Sequence, residues 1–134
     1  MTHLGARVLE FSTDDIPEHD RSALKAARLN LAKSFIMAHS DRRDMSISAV
    51  AASLNVTPRY VQRLFEADGT TFSEFLIRQR LARVHRMLRD PCVDRTAIST
   101  IAYDAGFGDL SYFNRRFRRQ YGLTPREVRG ERGI

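Results

Sequence analysis

Two stretches of the chain share one arrangement of apolar positions. In the second stretch, four apolar residues stand at i, i+3, i+4 and i+7, the spacing of one face of a helix; they are Ile98, Ile101, Ala102 and Ala105. Residues 106–108 interrupt the stripe, and Phe113 and Phe117 then stand four residues apart. This pattern predicts helix, tight turn and helix over Ala97–Arg119.

The second helix of that stretch has an outward polar face. Because Phe113 and Phe117 must pack on the preceding helix, polar side chains remain together on the opposite face. They are Ser111, Asn114, Arg115 and Arg118. A face that combines hydrogen-bonding groups with cations is typical of a helix that binds DNA.

The same arrangement occurs earlier in the chain, at an offset of 51 residues. The matching apolar positions are Ile47, Val50, Ala51, Leu54 and Val56, the last of which matches Phe107. If Gly108 is one inserted residue, Arg59, Gln62 and Arg63 align with Ser111, Asn114 and Arg115. The chain therefore contains two helix-turn-helix units in register.

Capping residues divide the rest of the chain into helices. We predict a first helix over about Arg21–His39. Its apolar stripe comprises Leu24, Leu31, Phe35 and Ala38, flanked by Ala27, Ala32 and Ile36. The residues expected to cap later helices are Ser46, Thr57, Thr71 and Thr124. A long helix follows Thr71, buries Ile77, Leu81, Val84 and Leu88, and stops before Asp90. Residues Gly130–Ile134 are expected to fray.

These elements predict an all-α, seven-helix bilobal domain, homeodomain-like, with two helix-turn-helix subdomains joined by a long central helix. We assign residues 1–20 to a flexible tail or linker remnant, 21–70 to the first lobe, 71–90 to the linker helix and 91–134 to the second lobe. A helix of 17 residues is about 25 Å long. It could hold two recognition helices about one DNA turn apart, roughly 34 Å.

Charge points to a polyanionic partner. The 134 residues carry a formal net charge of +6, and residues 68–134 hold thirteen Lys and Arg against eight Asp and Glu. All cations except Lys25 and Lys33 are arginine, which suits bidentate contact with phosphate and guanine. A GC-rich genome that encodes arginine wherever a cation suffices explains the bias equally well.

Other classes of protein find little support. The four histidines are scattered, and no Gly-rich phosphate loop or activated nucleophile is evident, so we expect no enzyme, cofactor or metal site. A ligand role for His85 with the single cysteine, Cys92, is not expected. No apolar run or secretory signal is evident, which favours a cytoplasmic protein. The alternative function is a basic helical module that binds an acidic protein without specific DNA readout.

The chain resembles the DNA-binding domain of the AraC/XylS family of bacterial transcription regulators over about Arg21–Arg129. The stretches that carry the resemblance are Val56–Phe65, Gly69–Phe72, Arg80-Leu81, Ile98–Ala102, Gly106–Phe117 and Gly122–Pro125. The resemblance implies two lobes whose third and sixth helices enter adjacent major grooves. It also implies activation of transcription through contact with RNA polymerase at the nucleoid. Many members carry a dimerisation or effector domain ahead of this one, so the chain is expected to be a fragment of a longer regulator, although short stand-alone members exist. Ala97 departs from the family, in which a capping serine is usual.

Base and phosphate contacts are assigned on this basis. The resemblance puts Arg59, Gln62, Arg63, Ser111, Asn114 and Arg115 at the base-facing positions. Among these, arginine suits guanine, whereas glutamine and asparagine suit adenine. Phosphate contacts are expected from Arg42, Thr57, Tyr60, Tyr112, Arg118 and Arg119. In the turn from Asp41 to Asp44, Arg42 and Arg43 either touch phosphate or are simply solvated.

Overall fold

The computed structural model describes residues 17–133, and α-helices account for most of them. The α-helices are α1 (Glu18–His39), α2 (Ile47–Leu54), α3 (Pro58–Ala67), α4 (Phe72–Leu88), α5 (Ile98–Asp104), α6 (Leu110–Tyr121) and α7 (Pro125–Gly133). A 3-10 helix, Pro91–Val93, precedes α5. The prediction of seven helices and no strand is confirmed for these residues. None of the helices within 17–133 combines the length and apolarity of a membrane span.

The two ends of the helical region extend further than predicted. Helix α1 begins at Glu18 rather than Arg21, and its acidic first turn suits the positive end of the helix dipole. The rest of the predicted tail, residues 1–16, lies outside the described residues. Helix α7 continues to Gly133, three residues beyond the point from which the chain is expected to fray.

The two helix-turn-helix turns repeat the same backbone hydrogen bond, and each contains a residue with a positive φ. After α2, Asn55 adopts φ 59°, and the N–H of the next residue donates to the Ala51 carbonyl at 3.0 Å. After α5, Gly106 adopts φ 109°, and the next N–H donates to the Ala102 carbonyl at 3.0 Å. Asparagine tolerates the φ of residue 55, whereas the larger φ of residue 106 requires glycine. The repeat predicted from sequence is therefore present in the backbone.

Each second helix begins on a side-chain cap. The Thr57 hydroxyl accepts from the Tyr60 N–H, and the Asp109 carboxylate accepts from the Tyr112 N–H, both at 3.1 Å. Since Thr57 and Asp109 are the aligned positions, Gly108 is the inserted residue, as predicted. Side-chain caps also form at the other predicted positions, Ser46, Thr71 and Thr124.

The first compact unit contains the described residues up to His39 together with Met45–Phe75. Helix α1 packs against α2 and α3. The buried residues of this unit are Ala32, Ile36, Val50, Ala51, Val61, Leu64 and Phe65. The centre of the predicted stripe on α1 is wrong, because Leu31 is 60% exposed, whereas the flanking residues Ala32 and Ile36 are fully buried. The inward face lies one residue further on, a rotation of about 100°.

The second unit comprises Ser40–Asp44 and the chain from Leu76 onward. Its core contains Leu81, Val84, Leu88, Ile101, Ala102, Ala105, Phe107, Phe113, Phe117 and Val128. Phe113 and Phe117 are fully buried, as the helical spacing predicted. Most of α4 thus belongs to this unit and contributes three leucine and valine side chains to its core.

Helix α5 lacks a side-chain cap, and this absence predicts a stabilising substitution. Ala97 has the extended backbone of an N-cap residue, with φ −60° and ψ 140°, but makes no side-chain cap bond. Ala97→Ser is expected to raise the free energy of unfolding by about 1 kcal/mol, because a hydroxyl there can accept an orphan N–H. Urea unfolding measures this, with Ser46→Ala at the aligned cap as the opposite control. A neutral Ala97→Ser beside a destabilising Ser46→Ala would contradict the prediction.

Candidate nucleic-acid interface

Helix α3 presents a polar face opposite its buried residues. Its core-facing residues are Val61, Leu64 and Phe65, and the predicted base-contacting residues Arg59, Gln62 and Arg63 are all exposed. The i, i+3, i+4 spacing keeps those three side chains on one face. The Gln62 amide donates to Glu66 at 3.4 Å, which is long for a hydrogen bond and leaves the amide free to exchange partners.

Helix α6 repeats this division of faces. Ser111, Asn114 and Arg115 are exposed, while Phe113 and Phe117 pack into the core. The Arg115 guanidinium carbon lies 5.8 Å from the centre of the Tyr112 ring. An exposed cation–π contact contributes about 0.5–1 kcal/mol, less than the roughly 1–3 kcal/mol by which a bidentate contact discriminates a base. The contact with the Tyr112 ring is therefore too weak to prevent Arg115 from contacting a guanine.

Tyr60 and Tyr112 occupy aligned positions, and each is half-buried beside an arginine. The Tyr60 hydroxyl accepts from Arg28 at 3.1 Å, and the Tyr112 hydroxyl accepts from Arg116 at 3.0 Å. A phenol that accepts from a guanidinium still has its own O–H to donate. Both tyrosines therefore remain able to donate to a phosphate oxygen.

The other predicted phosphate ligands are all exposed. They are Arg42, Thr57, Arg118 and Arg119. The Arg42 Nε lies 3.6 Å from the Asp44 carboxylate, with 60% of the Arg42 side chain exposed. The Thr57 hydroxyl caps α3 as an acceptor and keeps its hydrogen. Arg118 and Arg119 stand in the last turn of α6.

Arg80 is a buried cation whose structural role the sequence analysis missed. Its Nε donates to the Ser40 carbonyl at 2.7 Å, and its Nη2 donates to the Arg42 carbonyl at 2.8 Å. Burial first, and then the charge of Arg43, lowers the pKa of Arg80, while Asp41 opposes the shift. A signal was present in the sequence, because Arg80 lies midway between buried Leu76 and Val84 at intervals of four.

Burial also shifts the pKa of a tyrosine at the end of α6. The pKa of Tyr121 is raised mainly by burial, and the charge of Arg86 lowers it in part. The Tyr121 ring stacks on His85 with centroids 4.4 Å apart, so His85 packs against the aromatic core. Within residues 17–133, no three His, Cys, Asp or Glu side chains are grouped so as to hold a metal ion.

Comparison with known proteins assigns this architecture to a family. A family described as a helix-turn-helix domain, of the AraC type, matches residues 50–131, which is more than half of the chain. The chain belongs to the AraC/XylS family of DNA-binding transcription regulators. The resemblance seen in the sequence is thereby confirmed, and the members of this family are regulators rather than enzymes.

Relatives with known names support the assignment. The chain is 44% identical over 84 residues to the transcriptional activator RhrA of Rhizobium meliloti, covering 63% of this chain and 26% of RhrA. It is 32% identical over 105 residues to the transcriptional activator RhaS of Escherichia coli, covering 78% of this chain and 36% of RhaS. The chain thus spans only a quarter to about a third of these relatives.

A solved structure supports the fold. It is a transcriptional regulator with an AraC-type DNA-binding domain from Chromobacterium violaceum, 28% identical to this chain. The two structures superpose with a TM-score of 0.71, covering 82% of this chain and 96% of the other.

Proposed function

We propose that this chain is the DNA-binding part of a transcription activator that recognises an asymmetric double-stranded operator, with α3 and α6 in adjacent major grooves. The observation that carries the proposal is the duplicated set of exposed polar side chains, Arg59, Gln62, Arg63 and Ser111, Asn114, Arg115, on two helices with aligned caps. Because the two sets differ in sequence, the two halves of the operator should differ as well.

The side chains of each polar face are proposed to contact different bases. Arg63 and Arg115 are proposed to bind guanine O6 and N7, since a guanidinium matches that pair of acceptors. Gln62 and Asn114 are proposed to pair with adenine, whose edge offers one donor and one acceptor. Arg59 and Ser111 complete the two faces at the amino-terminal turns of α3 and α6.

Phosphate contacts are proposed to set the position of each helix on the duplex. The proposed ligands are Arg42, Thr57, Tyr60, Tyr112, Arg118 and Arg119. Their support is a hydrogen that each can donate, together with exposure of the arginines and the threonine and partial exposure of the two tyrosines. Such contacts fix the register of the protein on DNA but carry no sequence information.

The wider role follows from the family. We propose that the full protein activates transcription at the nucleoid through contact with RNA polymerase, under the control of a domain outside this chain. The activators RhrA and RhaS, which are several times longer than the region they share with this chain, support the proposal.

Selection of duplexes from a random library tests the proposal against its rival, a module for acidic proteins. The purified chain should enrich a duplex containing two unlike sequence blocks. Titration of that duplex at increasing salt should show a steep loss of affinity with retained sequence preference. Failure to bind any duplex at low salt would favour the rival.

Arg119→Ala is expected to weaken binding to all duplexes alike. The loss of one phosphate contact should lower the slope of log affinity against log salt by about 0.9. The measurement compares the selected duplex with a scrambled one across a salt series. A change of preference at a single base pair would instead place Arg119 against a base.

A further inference from the structure

The short segment between α1 and α2, residues 40–44, is part of the second unit although it precedes the first helix-turn-helix in sequence. We refer to it as the connecting turn. Arg80 binds the carbonyls of Ser40 and Arg42 in this turn at 2.7 and 2.8 Å. Because a guanidinium cannot lose its charge under physiological conditions, these are strong charge-assisted bonds. The backbone of the connecting turn is therefore fixed to α4.

The second helix-turn-helix packs directly on this arrangement. A Cβ added to Gly106 would lie 2.6 Å from Arg80 Nε and 2.9 Å from the Ser40 carbonyl oxygen. Such distances leave no room for any side chain. The turn that precedes α6 and the connecting turn are thus in contact through one buried guanidinium.

Arg43 extends from the connecting turn toward the start of α6. Its guanidinium carbon lies 5.5 Å from the centre of the Tyr103 ring, and its Nη2 is 3.5 Å from the Tyr103 carbonyl oxygen. Its Cδ lies 3.8 Å from the Cβ position of Gly108, one residue before the Asp109 cap of α6. Arg43 is exposed, and the aromatic ring and carbonyl that hold it have no formal charge.

Arg43 and Arg80 are two like charges in this part of the second unit. The charge of Arg43 contributes to the lowered pKa of Arg80, so the two guanidinium groups repel one another. The Asp41 carboxylate offsets this repulsion in part, but it also lies 3.9 Å from a second cation, Arg83. An external anion beside Arg43 would relieve the repulsion and meet an accessible, oriented donor.

We propose that Arg43 binds a DNA phosphate beside the base pairs contacted by α6, so that a residue preceding the first helix-turn-helix serves the second. This inference rests on the proposed function, because it requires a duplex bound through α6. Arg43 is thereby added to the proposed phosphate ligands, although it lies more than 60 residues before α6 in the sequence.

A pair of charge-matched variants tests the inference. The test variant, Arg43→Gln, removes the charge and keeps most of the side-chain length. The control, Arg86→Gln, removes the same charge near Tyr121, the last residue of α6. On the duplex selected by the unmodified chain, Arg43→Gln should reduce affinity about tenfold and lower the salt slope by about 0.9. Arg86→Gln should change both much less. Equal effects in the two variants would overturn the inference.

Neutral methylphosphonate linkages, introduced singly along the duplex, locate the contact. One linkage in the half whose base preference changes in Arg115→Ala should weaken binding by the unmodified chain but not by Arg43→Gln. A coupled linkage in the other half, or none, would overturn the assignment to α6. If the unmodified chain bound no duplex at all, the proposed function would fail too, whereas specific binding without an Arg43 effect removes this inference alone.

Discussion

Gly106→Ala is expected to lower the free energy of unfolding of the second unit by about 3 kcal/mol or more, as the sum of backbone strain and overpacking. The φ of Gly106 is +109°, well beyond the left-handed region that asparagine tolerates. The added methyl would also lie 2.6 Å from Arg80 Nε. Arg80 cannot move aside without giving up its hydrogen bonds to two backbone carbonyls.

Gly122→Ala separates the two causes. Gly122 also has a positive φ, +74°, but a Cβ built there meets no heavy atom within 4 Å. This variant should therefore lose only the strain, about 1 kcal/mol. Urea unfolding of both variants and the unmodified chain provides the measurement. Similar losses at Gly106 and Gly122 would show that contact with Arg80 contributes little.

Features governed by local chemistry could be predicted from the sequence. The predicted cap of α3 at Thr57 is an example, because a hydroxyl satisfies the N–H groups of a helix end without a distant partner. Asp109 follows the same principle at the start of α6. The duplicated pattern then allowed the exposed face of one helix to be predicted from that of the other.

Features that depend on distant partners could not be predicted in the same way. Helix α1 has apolar residues at both 31 and 32 and at both 35 and 36, so two adjacent faces fit helical spacing equally well. Only packing against α2 and α3 selects the face with Ala32 and Ile36. A fully buried alanine there permits close approach of the helices, whereas Leu31 is left at the surface.

In the candidate interface, too, some features follow from local sequence and others depend on distant partners. Exposure of the six predicted base-contacting side chains follows from the position of the buried residues on α3 and α6. The placement of Arg43 against Tyr103 joins residues 60 apart in sequence and depends on Arg80, which lies in a third element. Helical periodicity carries no information about such contacts. Their absence from a sequence-based analysis is therefore expected.

Combined replacement of Arg63 and Arg115 by alanine is expected to cost about the sum of the two single losses. Each bidentate contact with guanine contributes about 1–3 kcal/mol, so the double variant should lose about 2–6 kcal/mol of binding free energy. This corresponds to a roughly 30-fold to 10⁴-fold lower affinity. Additivity is expected because the two arginines belong to different compact units and are proposed to contact different halves of the operator.

Competition binding with single-base variants of the selected duplex measures both affinity and preference. Arg63→Ala should relax one base pair in one half of the operator, and Arg115→Ala should relax one base pair in the other half. A control that replaces exposed Arg86 and Arg126 by alanine removes the same charge but should leave every base preference intact. If Arg63→Ala alone erased preference across the whole operator, α6 would have no independent role in recognition, because its own arginine would still be present.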